Sequence, residues 1–103
     1  MAFLEQEQDN LQSFLEVCPR TLVMYGAKWC GNCKLLKPKF KKLAESHVEI
    51  PFIYVDADKL PKSRSLTTME NIPTIVAFRN TENVGQESGN KITVVEKVLE
   101  NLL

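Results

Sequence analysis

The strongest constraint on this chain is a set of three short apolar runs separated by helix-like stretches. Thr21-Leu22-Val23-Met24-Tyr25, Pro51-Phe52-Ile53-Tyr54-Val55 and Pro73-Thr74-Ile75-Val76-Ala77-Phe78 are rich in strand formers and lack polar alternation. Runs of this kind are strands covered on both faces, which calls for helices on either side of a sheet. The segment from Lys34 to His47 has helical periodicity, with Leu35, Leu36, Phe40, Leu43 and Ala44 on one face and lysines over much of the rest. Pro38 lies inside that pattern, where it removes one backbone hydrogen bond and predicts a kink. Ahead of the first run, Glu5 to Val17 reads as a helix with Leu11, Phe14 and Leu15 as its apolar stripe. Cys18-Pro19 closes it, because proline disfavours helical geometry in the residue before it.

Lys59 to Met69 predicts a short, less regular helix with Leu60, Leu66 and Met69 pointing inward. After the third run, Arg79 to Asn83 is a turn and Val84 to Ser88 a polar edge strand. Lys91 to Leu103 then carries Ile92, Val95, Val98, Leu99 and Leu102 at helical spacing. Alternating helices and strands predict parallel pairing through right-handed crossovers, and the short turn after Phe78 predicts a closing antiparallel hairpin. The expectation is an α/β fold, a mixed four-stranded sheet flanked by helices on both faces. At 103 residues, with no repeat or linker, residues 1–103 are expected to form a single domain.

Charge narrows the function classes. Thirteen Lys plus Arg balance thirteen Asp plus Glu, so the basic surplus that nucleic-acid or anionic-membrane binding needs is missing. No apolar stretch approaches the ~20 residues of a membrane-spanning helix. The opening residues MAFLEQEQDN have neither a basic region nor a long apolar one, so no export signal is read there and a cytoplasmic location is expected.

Three cysteines are too few, and odd in number, for a disulfide scaffold. Two stand as Cys30-Gly31-Asn32-Cys33, just after the first strand and at the start of the following helix. In a reducing compartment this spacing means metal binding or redox chemistry. Zinc needs four ligands, and only Cys18 and His47 remain as soft or imidazole candidates. Both are expected at the opposite end of the domain, so no metal site is assigned. Cys18 reads as a small, partly buried hydrophobe, and His47 as a helix-end residue without a catalytic role.

Redox chemistry suits the position. A cysteine at a helix N-terminus meets unpaired N–H groups and the positive end of the helix dipole, which favour the thiolate. The two-residue spacer puts Cys33 one turn along, close enough to form a disulfide. Cys30 is then the nucleophile on a target disulfide and Cys33 the shielded thiol that resolves the mixed disulfide. Trp29, directly before a cysteine expected to be exposed, offers a flat surface to a docking polypeptide.

Ala27-Lys28-Trp29-Cys30-Gly31-Asn32-Cys33-Lys34 resembles the thioredoxin active-site signature, A-x-W-C-G-P-C-K. Pro38 matches the family's helix proline, Ile72-Pro73-Thr74 its cis-proline segment, Val55-Asp56 the end of its central strand, and Gly89 a glycine bordering its substrate groove. The similarity runs in element order from about residue 9 to residue 103. It implies a thioredoxin fold, with Cys30 and Cys33 as the redox pair and Trp29, Gly31, Asn32, Ile72, Pro73 and Gly89 as substrate-binding residues. It implies disulfide-containing target proteins as partners and a thioredoxin reductase as electron donor. No metal, flavin or nucleotide motif is read, so no cofactor is expected.

Four departures stand out. Asn32 replaces the usual spacer proline, which leaves the redox poise open. Met24 and Phe52 occupy the positions of a buried Asp and its Lys partner that serve the second cysteine in the family. Gly26 replaces a common aromatic, and the family's first edge strand leaves little trace in residues 1–8 beyond Phe3-Leu4. The expected function is reduction of protein disulfides by dithiol–disulfide exchange. The rival is a thioredoxin-fold binding module with little or no turnover.

Overall fold

In a computed structural model of the chain, residues 3–103 are described; Met1 and Ala2 of the N-terminal stretch lie outside them. The apolar runs form the strands they predicted: β2 (Arg20–Gly26), β3 (Phe52–Asp56) and β4 (Thr74–Arg79), followed by β5 (Glu82–Ser88). A further strand, β1 (Phe3–Glu5), makes the sheet five-stranded in the order β1-β3-β2-β4-β5. The four-strand expectation is therefore corrected. Phe3 pairs with Phe52, Leu4 with Ile53 and Glu5 with Tyr54, in parallel register. A three-residue strand has no periodicity of its own; its pairing with β3 defines it. β3 and β2 are also parallel, whereas β2–β4 and β4–β5 are antiparallel.

The helices are α1 (Leu11–Val17), α2 (Gly31–Ala44), α3 (Pro61–Arg64) and α4 (Ile92–Leu99), the last running on into a 3₁₀ turn at Glu100–Leu102. α1 starts six residues later than Glu5, the expected start, because Glu5 belongs to β1 and the residues between reach elsewhere. Asp9 accepts hydrogen bonds from Lys62 N at 2.8 Å, Ser63 N at 2.6 Å and Ser63 Oγ at 2.7 Å, closing the start of α3. Desolvation works against its charge. The Lys62 and Ser63 donors and the Lys62 ammonium outweigh that and hold the carboxyl below its ordinary value.

α3 is far shorter than the expected 59–69 helix. Pro61 starts it well, but Thr67 and Thr68 beyond it carry no apolar stripe to hold a helix on the sheet. Leu60, Leu66 and Met69 nevertheless face the core as expected.

Alternating side chains divide the sheet between two cores. Leu22, Met24, Phe52, Tyr54, Ile75 and Ala77 pack toward α2 and α4. Val23, Tyr25, Ile53, Val55, Val76 and Phe78 pack toward α1 and α3. On α2 the buried row is Cys33, Leu36, Phe40 and Ala44. Leu35, expected inward, is 65% exposed, because it stands one residue off that row. Phe40 sits between Phe3 and Phe52, with ring centroids 6.2 and 5.0 Å away. The edge strand is thereby clamped to the α2 side of the sheet.

Candidate functional site

β2 ends at Gly26, and Ala27-Lys28-Trp29 carries the chain over the carboxyl edge of the sheet, where α/β folds place their ligands. Cys30 is the N-cap of α2, with extended backbone, and its Sγ accepts a hydrogen bond from Cys33 N at 3.2 Å. A donor is thus already aimed at the sulfur, the arrangement that holds an anion at a helix start. Cys30 and Cys33 are joined as a disulfide, their Cα atoms 5.2 Å apart. Cys30 is not the exposed thiol the sequence suggested: it is 6% exposed, and Cys33 only 1%. The small accessible surface of the pair belongs mostly to Cys30.

The loop before β4 closes one side. The Ile72–Pro73 bond is cis, and the Ile72 carbonyl oxygen lies 3.9 Å from Cys30 Sγ. Gly89 N donates to Pro73 O at 3.1 Å, and Thr74 Oγ1 lies 2.7 Å from Ser88 Oγ, joining that loop to the end of β5. Gly89 has φ +151°, which a side chain rarely adopts, and an added Cβ would stand 2.9 Å from Val94 Cγ2.

On the other side, Trp29 lies 71% exposed with its Nε1 donating to Asp58 Oδ2 at 2.6 Å. A shallow cleft of about 110 Å³ runs between Trp29 and the loop of Met69, Asn71 and Ile72. Gly31, at the first turn of α2, has open space where a Cβ would be, so nothing walls the approach to Cys30 there. Asn32, the unusual spacer residue, accepts a hydrogen bond from Asn90 Nδ2 at 3.1 Å.

The fold therefore brings Trp29, Cys30, Gly31, Asn32, Cys33, Ile72, Pro73 and Gly89 to one rim. Cys18 and His47 stay outside it. Cys18 is a half-buried free thiol just before β2, and His47 stacks on Phe52 at the start of β3 with ring centroids 6.2 Å apart. Among the described residues no cluster of three or more His, Cys, Asp or Glu side chains is placed to hold a metal ion.

Three participants went unread in the sequence. Asp58 lies just past the strand-ending Val55-Asp56, and Asn90 in the break between the edge strand and the last helix, where neither has a local pattern to mark it. Tyr54 looked like one more core aromatic. Its hydroxyl reaches the Cys33 side of the site, beside a cavity of about 680 Å³ that Cys33, Tyr54 and Lys37 help to line. Met24 and Phe52, in contrast, are fully buried and apolar, so neither brings charge to Cys33.

The family model described as Thioredoxin matches residues 2–101. This chain belongs to the thioredoxin family. It is 33% identical over 81 residues to Thioredoxin H2-1 of Oryza sativa subsp. japonica, a match covering 79% of this chain and 59% of the rice protein. It is 32% identical over 82 residues to the thioredoxin of Sus scrofa, covering 80% of this chain and 78% of the pig protein. A crystal structure of Schistosoma mansoni thioredoxin superposes with a TM-score of 0.89 at 35% identity, covering 98% of this chain and 95% of that one. With its Cys30–Cys33 disulfide, this thioredoxin is a thiol–disulfide oxidoreductase. No described helix is long and apolar enough to cross a membrane.

Proposed function

We propose that this thioredoxin works as a reductant of protein disulfides, with residues 1–103 acting as one domain. The observation that carries the proposal is the setting of Cys30 Sγ. It has a backbone donor on one side and, on the other, a rim of exposed Trp29, cis Ile72–Pro73 and Gly89. In the reduced protein the Cys30 thiolate attacks a target disulfide. A mixed disulfide forms, and the first target sulfur leaves as a thiolate that takes up a proton. Cys33 loses its proton and attacks the Cys30 sulfur; the Cys30–Cys33 bond closes and the second target sulfur departs. Two electrons pass from the pair to the target.

The substrate chain lies across the rim. Trp29 and Gly31 offer contact surface, Asn32 and the backbone of Ile72 and Pro73 offer polar contacts, and Gly89 leaves room. Electrons return from a separate thioredoxin reductase. The proposed location is the cytoplasm, where a free thiol such as Cys18 remains reduced.

One observation favours a second reading. With Met24 and Phe52 apolar, Cys33 has no carboxylate at those positions to take its proton, as suits a binding module that turns over slowly or not at all. Reduction of insulin disulfides by dithiothreitol separates the two. The reductase reading expects clear catalysis that disappears in Cys30→Ser, and a covalent mixed disulfide with insulin that accumulates in Cys33→Ser. Background turnover in the unaltered protein would give the binding module precedence.

A further inference from the structure

The Cys33 thiol must become a thiolate before it can attack the mixed disulfide, and it is 99% enclosed by a cluster that contributes the apolar Met24 and Phe52. One polar atom nevertheless borders the same small space as its sulfur. Gly26 has no side chain, and the vacant Cβ position there lies 2.6 Å from Tyr54 Oη and 3.1 Å from Cys33 Sγ. Phenol and sulfur thus share the space that any other residue at position 26 would fill.

We propose that Tyr54 is the hydrogen-bond donor that stabilises the Cys33 thiolate during the resolving step, across the space that Gly26 leaves open. The proposal rests on the disulfide-reducing reading above. The proton of Cys33 passes to water in the adjoining cavity, Tyr54 keeps its own, and the departing target thiolate takes up a proton from solvent. Burial, and after it the Asp56 and Glu5 carboxylates, push the Tyr54 phenol up to about 12. At neutral pH it is a donor and not a base.

Its surroundings hold it in place. Lys37 Nζ stands 4.2 Å over the Tyr54 ring and pairs with Glu5 at 2.8 Å, which ties the ring to α2 and β1. The remaining titratable groups around the cavity are Lys34 on α2, Asp56 on β3, Glu7 after β1, and Lys28 and Lys59 on the loops. The lysines favour a thiolate and the carboxylates oppose it. Tyr54→Phe deletes one oxygen and leaves all of these groups and the ring under Lys37 unaltered.

The test follows two releases of thionitrobenzoate after rapid mixing of the reduced protein with one equivalent of dithiobis(nitrobenzoate), in a Cys18→Ser background so that no third thiol reacts. The first release reports attack by Cys30, the second resolution by Cys33. With Tyr54→Phe the second phase is expected to be about tenfold slower below its pH midpoint, the midpoint to rise by about one unit, and the rates to converge above it. The first phase is expected to change little. Gly26→Ala, whose Cβ would displace the phenol, is expected to raise the midpoint as well. An unchanged midpoint, or a uniform slowing at every pH, overturns the role of Tyr54 and leaves disulfide reduction standing. Absence of the second release from the Cys18→Ser parent would instead overturn the reductase reading itself.

Discussion

Trp29 Nε1 donates to Asp58 Oδ2 at 2.6 Å, so the indole beside the redox pair is pinned by a carboxylate from the loop that follows β3. The bond fixes the ring while leaving 71% of Trp29 exposed. An aromatic held in place loses less freedom when a polypeptide docks on it. Asp58→Ala is expected to release it. Because Trp29 is the single tryptophan, its fluorescence anisotropy should fall. KM for insulin should rise about threefold to tenfold, the loss of one hydrogen bond to a charged group, with kcat little changed. Unaltered anisotropy would show that the carboxylate does not hold the ring.

At the opposite rim, Gly89→Ala is expected to harm both stability and activity. The φ of +151° disfavours a side chain, and the new methyl would press on Val94. The cost should be about 1–3 kcal/mol in urea unfolding. Because Gly89 N also donates to Pro73 O, insulin reduction should fall further than the stability loss explains. A variant as stable and active as the parent would remove Gly89 from the rim's design.

The aromatic clamp behind the site predicts a larger effect. Phe40 is fully buried and touches Phe3 of the edge strand and Phe52 of β3. Phe40→Ala should destabilise by about 3–5 kcal/mol in urea unfolding. Hydrogen exchange should accelerate first in β1, which has only β3 as a strand neighbour. A loss below about 1 kcal/mol would mean that the two neighbouring rings collapse into the space.

Asp9 sets a pH dependence. Its carboxyl is held below the ordinary 3.8 in the folded chain. A depressed folded value stabilises the fold above the unfolded value, and the stabilisation is lost as pH falls through the folded one. Asp9→Asn should therefore lower the Tm modestly at neutral pH and reduce the further decline below pH 3.8. Added salt should narrow the difference, since the carboxylate is only partly buried. A difference between variant and parent that stayed constant down through that range would show that the charge is not what matters.

Much of the site was readable because its parts are local. Strand β2, the Cys30-Gly31-Asn32-Cys33 turn and the start of α2 are contiguous, and the capping geometry at Cys30 follows from that order. Ile72-Pro73 and Gly89 entered through resemblance, and the folded chain brings them to the same rim. Leu35 was misplaced because a run of two leucines leaves the helix face undecided until Cys33 and Phe40 fix the buried row. β1 is not legible as a strand because three residues carry no period, and Glu5 falls outside the helix, which begins at Leu11.

By itself the sequence determined the layered α/β plan and the redox pair, since apolar runs, helical periodicity and a helix-start cysteine motif act over a few neighbouring residues. The tertiary structure alone decided the pairing of Phe3 with Phe52, the anchoring of Trp29 by Asp58, and the approach of both Tyr54 and Cys33 to Gly26. Each of these joins elements far apart in the chain. Such contacts depend on sheet order, register and helix packing, which no local pattern encodes.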